Sequence, residues 1–262
     1  RRRSRLPSRQ RRPFVRQVAD RTAAAVGWGV GIGVYGAMIA ASADAFIEAI
    51  GQMPGIDQMM ARIYPDLDIR QPSGLLQLAF FGFGSLLIGF AAATAIGGLT
   101  SEENERRLDL VLSHPVARVR WFVTSACGSF TAIALAGLVA GSMIVVAVAG
   151  AGGDVPGPVA GTVVLVLYGA AFVGIGLAVA GLGWPRQAAV VTGSVAVASY
   201  LLSVLGNALQ LPDWLVDLSL LEHVGQPMAG QFDALGMAAM AVLALGGLAL
   251  GAWGFERRDV AT

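Results

Sequence analysis

The sequence predicts an all-α membrane protein with six transmembrane helices and both termini on the cytoplasmic side. Three observations carry that prediction. Of 262 residues, 55% are hydrophobic and 13% charged, and the mean hydropathy is +0.67; a soluble domain carries about 25% charged residues. Six stretches are apolar over the ~20 residues that cross a bilayer core. With six spans, 16 of the 18 Arg fall on one side, and basic residues mark the cytoplasmic side.

The composition also excludes chemistry. All 18 basic residues are Arg, so neither a phosphate-binding loop of the form G-x-x-x-x-G-K-[ST] nor a Schiff-base lysine exists. A single Cys, Cys127, excludes an internal disulfide and a Cys-based zinc site. The two His, His114 and His223, stand over a hundred positions apart. No catalytic residue and no metal site is expected. A disordered chain, a coiled coil and an ordinary cytosolic enzyme are excluded by the hydropathy.

Residues 1–21 form a basic cytoplasmic segment with nine Arg. The cluster reads as an orientation signal resting on anionic lipid, at about 1 kcal/mol per residue near the surface, and not as a nucleic-acid site. Within it, 14–21 is expected as a short amphipathic helix along the interface. The apolar stretch that follows is too long for a signal peptide. The transmembrane domain covers 22–254, with spans at about 22–44, 74–98, 121–149, 157–182, 187–208 and 233–254. A cytoplasmic tail, 255–262, closes the chain. Gly and Ala recur in every span and let helices approach closely, as at the Gly29–Gly33 step.

The middles of the spans carry no Asp, Glu, Arg or His, which weighs against an ion-coupled carrier. The aromatic residues of the second span read as packing and lipid contact. The alternative is a path for a greasy solute, with Gln77, Phe80, Phe81, Asn207 and Gln210 as candidate lining residues. Cys127 reads as a small apolar filler.

The loop between the second and third spans, Thr100 to Pro115, is the most informative. Thr100 and Glu103 fit a capping box, Glu102 and Glu103 suit a helix N-terminus, and Glu102–Arg106 and Glu103–Arg107 are favourable i,i+4 pairs. Leu108, Val111 and Leu112 share a face, and Pro115 ends the helix after His114. Two readings stay open: a solvated helix with its Leu face on lipid, or a helix that docks into a groove on a soluble partner.

The same loop, Glu102-Glu103 through Arg107-Leu108-Asp109 to Pro115 and Arg118, resembles the signature loop of ABC-2 type permeases, membrane subunits of ATP-binding-cassette exporters. Their pattern is roughly E-E-x-x-G-x-L-E-x-L-L-x-x-P-V-S-R. Here Arg106 replaces the Gly and Asp109 the Glu. The segment Leu211-Pro212-Asp213-Trp214 to Asp217, Ser219 and His223 resembles the outer segment before the last span of polyketide-antibiotic export permeases, with Leu220 where Pro is usual. The ending Arg257-Arg258-Asp259-Val260 is similar too. Many members of that subgroup hold two six-span halves, and this chain resembles one half, the second.

The resemblance implies that 101–115 is a coupling helix against an ATPase. Glu102, Glu103, Arg106, Arg107 and Asp109 would make polar contacts; Leu108, Leu112 and Pro115 would fill the groove, flanked by His114 and Arg118. It implies an outer interfacial helix over 209–223 carrying Trp214, Asp217 and His223, with Trp214 as anchor and His223 a surface hydrogen-bonding residue. It further implies ABC ATPase subunits and a second permease copy or related chain as partners, membrane lipids around them and a hydrophobic solute (drug, antibiotic or lipid) in the path. ATP and Mg would be bound by the partner ATPase and no cofactor by this chain, in a bacterial plasma membrane. The rival readings are a scaffold or immunity protein that binds a partner without transport, and an ion-coupled secondary carrier.

Overall fold

A computed structural model describes the backbone of residues 11–53, 55, 72–104 and 118–257, and the side chains of 21–53, 55, 73–100, 119–206 and 209–257. Six helices in it are long and apolar enough to cross a membrane: Arg21–Ala41, Ser73–Thr100, Val119–Gly150, Pro156–Gly181, Pro185–Gly206 and Ala234–Arg257, spans 1 to 6 in chain order. Pro stands in the first turn of spans 4 and 5, where its missing N–H has no intrahelical partner to lose.

The segment 14–21 is helical, but as the first part of one unbroken helix, Arg11–Ala41, rather than as a separate piece. No Gly or Pro stands between Phe14 and Val26 to interrupt it. Span 1 ends earlier than expected. The helix stops at Ala41, and a second helix, Ala43–Gly51, follows Ser42. Span 2 contains a π-helical segment, Leu76–Phe81. There the Tyr35 hydroxyl of span 1 donates to the Ala79 carbonyl at 2.6 Å, satisfying a backbone acceptor within an apolar environment.

Span 4 sits at the centre and touches spans 2, 3, 5 and 6. Its most apolar window is 61% buried, against 22% for span 5, which packs on the outside against spans 2 and 4. Several helix pairs meet through glycines, two of them as follows. Span 1 lies on span 3 through Gly29 and Gly33, where an added methyl would come within 2.7 Å of the Ala136 carbonyl oxygen and of Met143 Sδ respectively. Span 6 lies on span 4 backbone to backbone, Gly247 facing Gly174 and Gly251 facing Gly181 and Leu177.

The bundle has a charged polarity. The span 1, 2, 3 and 6 ends that meet around Arg21, Gly98, Trp121 and Phe255 define a proximal end. The described side chains of Arg21, Arg120, Arg186 and Arg257 belong to helix ends on this side, and Arg257 lies 4.2 Å over the Trp253 ring. Asp44, Glu48, Asp154, Asp213, Asp217, Glu222 and Asp233 belong to the distal loops and helix ends.

Candidate functional site

Two features stand out where helices fail to close or are tied together. The first is a cleft of about 420 Å³ at the proximal end, between spans 1, 2 and 3. Its walls are largely Ala and Gly: Ala24 and Ala25 from span 1, Ala91, Ala95, Gly97 and Gly98 from span 2, Gly128, Ala132 and Ala136 from span 3. Small side chains leave the space unfilled that larger ones would occupy. Trp28 crosses it, its indole N–H donating to Thr94 Oγ1 at 3.2 Å, while the Thr94 hydroxyl donates to the Phe90 carbonyl at 2.9 Å. At the mouth the Arg21 guanidinium donates to the Gly98 carbonyl at 3.5 Å. The cleft is a largely apolar space beside Arg21, and among the described residues its lining carries no Asp, Glu, His or Cys for covalent or acid–base chemistry.

The second feature is a compact cap over the distal end, between spans 5 and 6. Span 5 ends at Gln210, whose left-handed backbone (φ 51°) breaks the helix before Pro212. A single turn, Asp213–Val216, follows, then two 3-10 turns and a two-residue hairpin, β1 (Gly225–Gln226) with β2 (Gln231–Phe232), pairing Gly225 with Phe232. Met228 is fully buried against Gly157 and Gly161 of span 4. Asp233 closes the cap, its carboxylate accepting the N–H groups of Leu235 and Gly236 at the start of span 6.

The cap is tied down by buried hydroxyls. Tyr168 of span 4 lies 3.2 Å from Ser199 Oγ of span 5, which lies 3.1 Å from Ser219 Oγ of the cap. The Ser219 hydroxyl donates to the Ser199 carbonyl at 2.7 Å. With that proton committed, Ser199 donates to Ser219 and Tyr168 donates to Ser199. The Leu221 N–H supplies a further donor to both serines. Every donor and acceptor site of the two serine hydroxyls is then used.

The residues singled out from sequence are placed as follows. Gln77 Oε1 accepts the Met228 N–H at 3.0 Å, so Gln77 holds the cap to span 2. Phe80 and Phe81 are buried in the packed core. Asn207 lies in the last turn of the helix Pro185–Leu209, its side chain outside the described residues; Gln210 is exposed. Trp214 is 67% exposed, and its helix is one turn long, not the longer interfacial helix expected over 209–223. Pro212 and the buried Ser219 confine it. Asp217 is exposed at the end of that turn, and the exposed His223 pairs through Nδ1 with the Ser219 carbonyl at 3.0 Å.

Thr100 corrects the expected capping box. Its hydroxyl donates back to the carbonyls of Ile96 and Gly97 at 3.2 and 3.3 Å, and the helix runs on to Asn104, so Glu102 and Glu103 extend span 2. A Thr hydroxyl bonds the preceding turn as readily as it caps a new one. Arg106, Arg107, Leu108, Asp109, Leu112, His114 and Pro115 lie outside the described residues; Arg118 starts the helix Arg118–Gly150. The reading from sequence missed Arg21, Trp28, Thr94, Tyr168, Ser199 and Ser219 as site residues. Tyr168 and Ser199, polar groups at mid-span, were the available signal.

Residues 16–256 match the family described as the C-terminal domain of the multidrug efflux system permease Rv1217c. The chain is 28% identical over 247 residues to the multidrug efflux system permease protein Rv1217c of Mycobacterium tuberculosis, covering 89% of this chain and 42% of that protein. The chain thus spans about two fifths of the length of the curated relative it matches. With six apolar helices in one bundle and a match running through all of them, the chain is a multi-pass membrane protein that belongs to the family of the Rv1217c permease C-terminal domain, as its resemblance to ABC-2 type permeases implied.

Proposed function

We propose that the chain is the membrane-spanning permease unit of an ATP-driven exporter and forms the path for a hydrophobic solute. The observation that carries this is the family match over residues 16–256, the whole six-span bundle. The relative's name supports efflux of drug-like solutes. The cleft between spans 1, 2 and 3 supports an apolar cargo, because its lining is mostly Ala and Gly.

In this reading ATP and Mg are bound by a partner ATPase, which seats the loop over 101–115. ATP-driven closure of two ATPase subunits tilts the spans between inner and outer openings. A second six-span unit, either another copy or a related segment, completes the path. Both termini face the cytoplasm of a bacterial plasma membrane, with the Arg-rich proximal end inside.

The test is purification of the chain, tagged after Thr262, from native membranes in mild detergent, followed by vanadate-sensitive ATP hydrolysis. A stoichiometric ATPase partner is expected. Reversing both charges, Glu103→Arg with Arg107→Glu, keeps their mutual pairing but inverts the face shown to the partner, and should abolish ATPase stimulation while leaving the chain folded. Recovery of a different partner with no ATPase, or unchanged stimulation in the double variant, overturns the coupling role.

A further inference from the structure

We propose that span 2 has two helical registers, and that the Tyr35 hydroxyl of span 1 holds the one in which Gln77 fastens the distal cap. Span 2 is not one regular helix. The α-helical stretches Pro72–Leu75 and Gly82–Asn104 flank a π-helical one, Leu76–Phe81. A π turn closes i→i+5 hydrogen bonds, is rare, and occurs often at functional sites. It takes up more chain per turn than an α turn. Returning it to α geometry therefore shifts one flank against the other by about one residue, roughly 100° of rotation and 1.5 Å of rise.

Three contacts favour the wide turn. The Tyr35 hydroxyl donates to the Ala79 carbonyl at 2.6 Å, and the Ser85 hydroxyl donates to the Phe81 carbonyl at 2.7 Å. The Phe80 ring sits in a slot between Gly36 of span 1 and Gly84, where an added methyl would come within 2.9 and 3.1 Å of it. Two of the three involve span 1, so span 1 sets the register of span 2. The wide turn in its place sets Gln77, whose Oε1 accepts the Met228 N–H at 3.0 Å. Rotation by an α residue step takes that amide away and strands a backbone donor in an apolar bundle, which is costly. Cap and register are therefore coupled in both directions: a seated cap favours the π turn, and a straightened turn frees the cap. The coupling rests on the bundle alone, so it stands apart from the exporter reading.

Amide hydrogen exchange of the full chain in phosphatidylcholine nanodiscs tests this. Tyr35→Phe keeps the ring that packs on Phe80 and Phe83 at 5.8 and 5.4 Å and removes only the hydroxyl. It should speed exchange over 76–85 and also over 224–230, by about threefold or more, the scale of one hydrogen bond between membrane helices. Exchange over 171–181 and 240–251, the span 4–6 contact, should stay as in the parent and marks an intact fold. Gln77→Leu should speed exchange over 224–230 to the same extent, and adding Tyr35→Phe to it should add nothing there. If Tyr35→Phe loosens the span 4–6 contact as well, Gly84→Ala, which crowds the Phe80 ring, decides in its place and should give the same pattern. A rise confined to 76–85 overturns the proposal, because the Tyr35 hydroxyl is then a local contact. A further rise over 224–230 in the double variant also overturns it, because the route to the cap then bypasses Gln77.

Discussion

Ser199 Oγ is the junction at which span 4, span 5 and the distal cap meet, and its surroundings show how a hydroxyl acts in an apolar bundle. It accepts from Tyr168 and from the Leu221 N–H, and it donates to Ser219. Removing it strands several partners at once. Ser199→Ala should destabilise the protein by about 1 kcal/mol, the scale of a hydrogen bond between membrane helices, and should raise amide hydrogen exchange over residues 219–228. Tyr168→Phe should cost less, because the ring keeps its edge-on packing against Phe172 at 4.9 Å. Equal protection of 219–228 in Ser199→Ala and the parent would show that the cap is held by its other contacts, such as Met228 and Gln77, without the Ser199 hydroxyl. Gln77, expected to line a path, illustrates the same logic: its side chain accepts a backbone N–H 151 residues away, a partner that no local pattern could supply.

Among the elements, the glycines divide into those that decide packing and those that do not. Gly251 faces the Leu177 and Gly181 backbones across the span 4–6 contact, whereas an added methyl at Gly246 meets nothing within 4 Å. Gly251→Val should therefore destabilise the bundle by about 1–3 kcal/mol, the usual cost of overpacking. Gly246→Val should be close to neutral. Thermal unfolding in detergent distinguishes the two, and similar shifts for both would mean that span 6 does not rest on span 4 through its glycines. The Gly29–Gly33 step was legible in the sequence and does lie on another helix, span 3. Which of the other glycines in the same spans would face a neighbour was not legible, because a Gly-rich helix looks alike on every face until its partners are fixed. The π-helical segment Leu76–Phe81 had no sequence sign either; its stabilising contact, the Tyr35 hydroxyl on the Ala79 carbonyl, comes from another span.

For the molecule as a whole, the Arg residues set a direction. Asp154 belongs to the distal loops and Arg186 to the proximal end. In a Cys127→Ala background, a cysteine at Asp154 should react with a membrane-impermeant maleimide on intact cells, and one at Arg186 only after permeabilisation. The reverse pattern would invert the topology inferred from the positive charges. The labelling depends on the sidedness of the bundle alone, so it is independent of any transported solute.

The sequence by itself determined that the chain is six apolar helices, which of its loops are basic, and the family signature around Glu102 to Pro115. Those properties are local or compositional: bilayer thickness sets a length, the cost of moving Arg across sets a side, and a motif is read in a continuous stretch. Tertiary structure alone decided that span 4 is the centre, that Phe80 and Phe81 are core, that Thr100 continues a helix instead of capping one, and that spans 1, 2 and 3 leave a cleft beneath Arg21. In an apolar bundle every span has much the same affinity for lipid and for its neighbours, so hydrophobic pattern does not choose the contacts. Backbone approach at glycines and the pairing of a few hydroxyls do, and both depend on residues far apart in the chain.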